Sequence, residues 1–522
     1  MPDEERDPPP PTDLTQAELE RQRTQTLLDA ERSPRERNRA GQFATPPGLA
    51  AELARYASPL IGDRPVRFLD PAVGSGAFYY AFRARLGPER IMQAVGVELD
   101  PRLARAATRL WGPHGLKVRR ADFTRLRPPP KSQRFDLIVA NPPYVRHHHV
   151  PASDKHRLRA TLSRRLGLEV SGLAGLYCHF LLLADAWLAD GGVSIWLVPS
   201  EFFDVNYGQT LRSYLSRRVE LLRIHRFSPR DVQFADALVS SAAIFFRKAP
   251  PQKSCCLSGG GSPHRPRHSR NVATGALAEA SKWSPLFEPG QRAAPKATCR
   301  LGDLFVIRRG IATGANHFFV LDRREALASG IPAESLRPLL PRPRDLPSDV
   351  VTAEPDGWPA LDPQRALLDI PWPPATVRAR HRALWRLLQA ARADGLHQRY
   401  LTSRRQPWYA QEHRAPPPYL CTYMGRNARA EGPFRFVWNH SLAVATNVYL
   451  LLQPTPRLEC VLERFPEARA GVHAGLRSIG SAALVAGGRV YGGGLHKLEP
   501  RELATIGAGP ILDRVPEAAE GQ

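Results

Sequence analysis

Cysteine is scarce in this chain of 522 residues: six in all, Cys178, Cys255, Cys256, Cys299, Cys421 and Cys460. None forms a CxxC pair, so neither a disulfide framework nor a thiolate zinc site is indicated, and a reducing cytoplasm is the expected setting. Long hydrophobic runs are also lacking. The most apolar stretch, GLYCHFLLLADAWLADGG, carries His179, Asp185 and Asp190 and is too short to span a bilayer. The opening MPDEERDPPPPT is acidic and proline-rich, the reverse of a secretory leader. A cytoplasmic protein with no membrane partner is therefore expected. Lysine is nearly missing too, with 8 against 65 arginines. A GC-rich genome exchanges Lys for Arg whatever the function, but that exchange does not create the net charge of +23 or the pI near 10.4. Such a surplus favours a polyanionic partner, most simply nucleic acid.

At 43% hydrophobic the chain can build sizeable cores, and its length implies two or three domains. Residues 1–13 read as disordered, and TQAE (15–18) has the spacing of a capping box that starts a helix running to about Glu31. From Gly41 to Lys248 helical patterns alternate with short apolar runs. Strands are predicted at 66–70, 94–100, 117–123, 135–140, 193–198, 221–227 and 238–246. That rhythm predicts an α/β domain with a parallel sheet covered on both faces, its last two strands forming an antiparallel edge. The boundaries read as an N-terminal extension (1–31), a catalytic domain (32–248), a Gly/Pro/Ser-rich linker or mobile loop (249–298), a second domain (299–510) and a tail (511–522).

RFLDPAVGSGAFYYAF reads as a strand, a turn containing Gly74 and Gly76, and a helix. Glycine lets backbone pass close to a ligand, although a tight strand-to-helix turn needs it for its own sake. VGVELD places Glu98 at the end of the next strand, where a carboxylate can accept both ribose hydroxyls of a nucleoside. The third strand ends in ADF. Asp122 can accept from an exocyclic amine and Phe123 can face an adenine ring; the alternative is a helix-capping Asp beside a core Phe. Asp70, Glu98 and Asp122 would then share the carboxyl edge of the sheet, where ligands bind in open α/β folds. No GxxxxGK[ST] loop occurs, which indicates an adenosine ligand without a triphosphate.

In FDLIVANPPYVRHHH a buried strand stops on two prolines, neither of which can donate to a sheet. The three histidines cannot easily converge on one ion, so no metal is expected. Taken in order, DPAVGSGAF, GVELD, ADF and NPPY resemble the motifs of S-adenosylmethionine-dependent amino-methyltransferases acting on DNA. GQFATPP (41–47) looks like the N-terminal motif of the gamma arrangement, in which Thr45 helps hold the methionine moiety. GGVSIWLVPSEFFDVNYGQTLRSYL is similar to the segment after the catalytic loop in TaqI-like and Eco57I-like adenine-N6 enzymes. The resemblance covers roughly residues 37–248 and continues more loosely through RRGIATGANHFFVL, RRQPWY and GGGLHKLEPRELATI.

The resemblance implies a Rossmann-like methyltransferase domain, S-adenosylmethionine as donor, and an α+β C-terminal target-recognition domain for double-stranded DNA. The exocyclic amine of adenine is a poor nucleophile because its lone pair is delocalised. Two acceptors gripping its hydrogens would redirect that lone pair: the Asn141 side-chain carbonyl and the backbone carbonyl of Pro142, with Tyr144 stacked on the flipped base. Tyr207 is a weaker candidate for the other face. No PD…(D/E)xK pattern stands out and little chain precedes the first motif. A modification enzyme paired with a separate restriction endonuclease is expected rather than a fused one, and a solitary regulator fits equally. Cytosine-N4 methylation, protein glutamine-N5 methylation and a non-enzymatic DNA-binding module remain as alternatives. In the second domain Arg308–Arg309, Arg404–Arg405, Arg426 and Arg429, interleaved with Trp408, Tyr409, Tyr423 and Trp438, suit phosphate contacts and stacking.

Overall fold

The computed structural model describes residues 13–228, 240–287, 299–426, 432–491, 495–515 and 518. Two compact units emerge, one of Met1–Arg292 with Tyr491–Gly494, the other of Ala293–Val490 with Leu495–Gln522. Residues 1–12, Arg429 and Gly492–Gly494, all singled out above, lie outside the described residues.

The first unit begins with α1 (Leu14–Ala30), α2 (Pro34–Ala40) and α3 (Pro47–Ile61), then alternates: β1 (Val66–Asp70), α4 (Ala77–Leu86), β2 (Ile91–Glu98), α5 (Pro101–Trp111), β3 (Leu116–Arg120) and β4 (Phe135–Ala140). Then come α6 (Ala152–Leu166), α7 (Leu176–Ala184), β5 (Leu188–Pro199), α8 (Gln209–Arg217), β6 (Glu220–Arg226), β7 (Ser241–Arg247), β8 (Ser254–Gly261) and β9 (Pro266–Ala273). These strands form one nine-stranded sheet in the order β3-β2-β1-β4-β5-β7-β6-β8-β9. The first five run parallel, and β7 is antiparallel to both neighbours. The fold is a mainly parallel, Rossmann-like α/β sheet.

The central strand β4 shows why its sequence is continuously apolar. Leu137 and Val139 belong to the core on one face of the sheet, and Ile138 and Ala140 to the core on the other. A strand buried on both faces has no solvent side to make polar.

Three expectations are corrected. The described part of the expected linker 249–298, residues 249–287, is not a linker: β8 and β9 pair as a hairpin and β8 extends the sheet beside β6. The strands at 221–227 and 238–246 consequently lie inside the sheet, and the free edge is β9, where Arg267, His268, Arg270 and Asn271 discourage further pairing. The glycines that suggested a loop serve the hairpin instead, Gly260 and Gly261 both adopting left-handed φ of 63° and 65°. Residues 13–31 are not a separate extension either. Helix α1 packs on α4 and α5, burying Ala17, Glu18 and Arg21. Its cap is Asp13, which accepts from the Gln16 amide at 2.8 Å, rather than Thr15.

The second unit is α+β. Its five-stranded sheet places Phe305–Arg309, Tyr449–Pro454, Tyr419–Thr422, Phe436–Asn439 and Val350–Val351 side by side, with only the last pair parallel. Two three-stranded sheets accompany it. The expected tail at 511–522 is the third correction, since Ile511 and Val515 are buried in this unit's core. Gly475 makes room for that closing turn, because a Cβ there would meet the Ile511 Cα at 2.6 Å. Several residues expected to touch nucleic acid are structural. Tyr409 and Tyr423 are buried, and Arg405 donates to the carbonyls of Ala312 and Thr313. The Arg309 guanidinium lies 4.1 Å over the Tyr423 ring.

Candidate active site

The carboxyl ends of β1, β2 and β4 and the segment after β3 open into a cavity of about 660 Å³. Thr45, Asp70, Gly74, Glu98, Asp122 and Asn141 all line it. Residues separated by nearly a hundred positions in the chain thus meet in one pocket, because parallel strands deliver their C-termini to one edge.

The turn after β1 folds over a carboxylate. Gly74 takes φ 55°, and its amide donates to Glu98 Oε2 at 2.9 Å. The other Glu98 oxygen accepts the Asp100 amide at 2.8 Å. Burial pushes the Glu98 carboxyl above its usual range against the pull of these amides. Each oxygen keeps a lone pair for a ligand hydroxyl. A Cβ on Gly74 would meet nothing within 4 Å, so the glycine is needed for its backbone conformation and leaves the cavity open. Gly76 is a correction: it is not on the cavity wall. At φ 94° a Cβ there would sit 2.2 Å from Trp111 Nε1, so the position is reserved for packing.

Asp70 is 1% exposed and its Oδ1 accepts the Ala72 amide at 3.0 Å. No cationic side chain pairs with it among the described residues. Burial first, opposed by that amide and supported by Glu98 nearby, raises its carboxyl to about 8. Asp122 is occupied locally. Its Oδ1 accepts from the Thr124 amide and hydroxyl at 2.9 and 2.7 Å, and its Oδ2 pairs with Arg125 at 3.2 Å. Phe123 is buried against Phe180 and Trp187 at ring distances of 5.4 and 5.1 Å. For this pair the capping-Asp, core-Phe alternative describes the geometry, although both still touch the cavity.

The loop after β4 presents one amide. Asn141 Nδ2 donates to the Phe43 carbonyl at 2.8 Å and to Thr45 Oγ1 at 3.1 Å. A main-chain carbonyl can only accept, so the NH₂ must face residue 43 and the oxygen must face the other way. That oxygen, Oδ1, is buried and accepts no hydrogen bond from any described residue. The Pro142 carbonyl likewise receives no donor among the described residues, but Pro142 itself is not on the cavity wall, where Asn141 and Pro143 are. The GQFATPP segment also fixes the loop's path. The Tyr144 amide donates to the Gly41 carbonyl at 2.9 Å, and a Cβ at Gly41 (φ 65°) would lie 2.6 Å from the Tyr144 nitrogen.

Tyr144 departs from its expected role. Its ring is 8% exposed, tilted against Phe43 at 5.4 Å and edge-on to Tyr177 at 6.5 Å. Its hydroxyl donates to the Leu197 carbonyl at 3.1 Å. In this arrangement the ring braces the loop and is absent from the cavity wall. Tyr207 packs against the core on the other face of the sheet and donates to Glu201. Of the histidines, His149 touches the cavity. No cluster of three metal-binding side chains occurs among the described residues.

The first two helices supply a wall that the motifs did not announce. Gln25, Leu28 and Asp29 of α1, with Arg32, Arg37 and Arg39 after it, line the cavity. Arg32 pairs with Asp100 at 2.7 Å, and Arg102 reaches Glu31 at 2.5 Å. Beneath them Arg21, 2% exposed, forms a two-pronged pair with Glu18 at 2.7 Å and donates to Ser75 Oγ in the glycine turn at 3.1 Å. A buried ion pair leaves no apolar stripe to read in the sequence, so the packing of this wall carries no local sequence signal.

Known proteins share this design. Residues 115–233 match the family model described as Eco57I restriction-modification methylase. Residues 291–519 match that of the C-terminal domain of the type II methyltransferase M.Eco57I. The type II methyltransferase M.XamI of Xanthomonas campestris pv. amaranthicola is 28% identical over 490 residues, covering 90% of this chain and 85% of that protein. M.AccI of Acinetobacter calcoaceticus is 22% identical over 485 residues with the same coverages. Among solved structures the DrdV–DNA complex aligns with a TM-score of 0.51 at 12% identity, covering 86% of this chain and 54% of that one, a likeness of fold alone. One family model is matched in each half and relatives align over nine-tenths of the length, so the chain is similar throughout to type II restriction-modification methyltransferases.

Proposed function

We propose that this protein transfers a methyl group from S-adenosylmethionine to the N6 amine of an adenine flipped out of duplex DNA, as the modification enzyme of a restriction-modification system. One observation carries the reading. The Asn141 Oδ1 is buried without a partner among the described residues, and Asn141 lines the same cavity as the carboxylates Asp70, Glu98 and Asp122. An orphaned buried acceptor costs free energy unless a ligand donor completes it.

The residues present fit the cofactor. Glu98, held by two amides, would accept the ribose hydroxyls, and Gly74 leaves space for close approach. Asp70, buried without a cation, would pair with the positive amino-acid end, and Thr45 borders the same space. When bound, the cofactor supplies an already activated methyl on sulfonium, so alignment rather than strong base catalysis is what the protein must add. Asn141 Oδ1 would accept one hydrogen of the target amine and the Pro142 carbonyl the other, turning its lone pair toward the methyl. Flipping the base costs a few kcal/mol of unstacking, offset by those hydrogen bonds. The proton can leave to water after transfer.

The test is chemical. Host DNA incubated with the purified protein and methyl-labelled cofactor is digested to nucleosides, and N6-methyladenine is expected. Label in N4-methylcytosine, or in protein glutamine with none in DNA, overturns the assignment.

A further inference from the structure

The second unit concentrates positive charge in one short stretch. Between residues 378 and 404 stand seven arginines and a single acid, Asp394. That is roughly a quarter of the chain's net charge of +23 in 27 residues. Arg378 and Arg380 end the helix Pro374–Arg380, while Arg382, Arg386 and Arg392 project from Arg382–Ala393. Arg399 and Arg404 follow in the next turns. All seven are exposed, and none joins an ion pair among the described residues. Several arginines elsewhere in the same unit are matched, as in Arg323–Asp356 at 2.9 Å, Arg337–Asp369 at 3.1 Å and Arg435–Asp349 at 2.6 Å.

Folding gives no reason for this stretch. Arg382–Ala393 docks through Leu384, Leu388 and Ala391, and Arg382 and Arg386 lie four residues apart on the opposite face. Like charges at that spacing repel. At the far end Tyr400 is 69% exposed, with the Arg404 guanidinium 4.0 Å over its ring and Arg404 Nη1 donating to its hydroxyl at 2.9 Å. Long cationic side chains without an acidic partner suit phosphates, which tolerate rotamer freedom, rather than base edges, which demand fixed geometry.

We propose that the arginine surface spanning residues 378–404 grips the sugar–phosphate backbone of duplex DNA without regard to sequence. This rests on the reading of DNA as the substrate and adds where the duplex is held. Each phosphate neutralised releases about 0.9 of a counterion, which makes the contact countable.

The full-length protein and its Arg382→Gln/Arg386→Gln/Arg399→Gln variant are titrated with a duplex of arbitrary sequence across ~50 to 200 mM salt. The variant should bind at least tenfold more weakly at the low-salt end, with a log–log salt slope shallower by about 2 to 3. Its cofactor affinity and melting temperature should be unchanged, and the matching triple Lys variant should recover the slope. A slope equal to that of the unaltered protein overturns the proposal, as does tighter binding of duplex RNA than of DNA. A protein that binds duplex with this salt dependence but methylates no DNA leaves the surface standing and sinks the proposed reaction instead. A protein with no affinity for duplex sinks both.

Discussion

The Asn141 side-chain amide donates to the Thr45 hydroxyl across 3.1 Å, joining the loop after the fourth strand to the segment before the first. Thr45 is expected to hold the cofactor, and its hydroxyl also steadies the amide whose orientation the Phe43 carbonyl sets. Thr45→Val keeps the shape and removes the acceptor. Transfer at saturating cofactor should fall about tenfold, the worth of roughly one hydrogen bond, while Thr45→Ser restores it. A variant with unaltered turnover but weakened cofactor binding by calorimetry would reduce Thr45 to a cofactor contact.

Asn141→Ala removes the side-chain acceptor proposed to grip the target amine. Transfer should drop by more than ~100-fold, the scale seen when a preorganised polar group at a reacting centre is lost. Cofactor affinity should barely change, since the amide bonds only to Phe43 and Thr45. Wild-type turnover would remove the acceptor-pair mechanism.

Asp70 gives cofactor binding a pH dependence with a fixed sign. Burial raises its carboxyl to about 8, so below that pH the free protein holds it neutral. Pairing with a cation needs the anion, and binding then releases a proton. Affinity should therefore rise with pH up to about 8 and level off above it. Calorimetry in buffers of different ionisation enthalpy should detect the released proton at neutral pH and lose it in Asp70→Asn. The stability of the free protein runs the other way. The neutral Asp70 contributes fully below the unfolded-state value of about 3.9, and that contribution is lost as pH climbs through the folded value of about 8.

Gly76→Ala separates packing from ligand contact. A Cβ 2.2 Å from Trp111 Nε1, at φ 94°, should destabilise the fold by about 2 kcal/mol. Calorimetric melting would show the loss, while whatever protein remains folded should bind cofactor normally. Unaltered melting with lost binding would restore Gly76 to the cofactor site.

Much of the first unit was legible because its signals are local. Val66–Asp70 and Phe135–Ala140 match the predicted strands end for end, since aspartate–proline and asparagine–proline steps stop them. The acidic strand ends were legible for the same reason. What stayed hidden depends on contacts distant in sequence. Gly76 looks like a ligand glycine until Trp111, from the following helix, is seen against it. The hairpin at 254–273 is written in Gly, Ser and Arg because an edge needs charge, and that composition also describes a linker. Tyr144 reads as a stacking ring, but the neighbours that bury it, Phe43 and Tyr177, stand about a hundred residues before it and about thirty after it.

The N-terminal helices have a kinetic implication. Their outer attachment to the pocket is ionic, through Arg32 to Asp100 and Glu31 to Arg102, rather than greasy. Partly solvated charge pairs weaken as the Debye length shrinks. Raised ionic strength should thus quicken the exchange of spent donor for fresh, and could accelerate a turnover limited by product escape even while it loosens the grip on the polynucleotide.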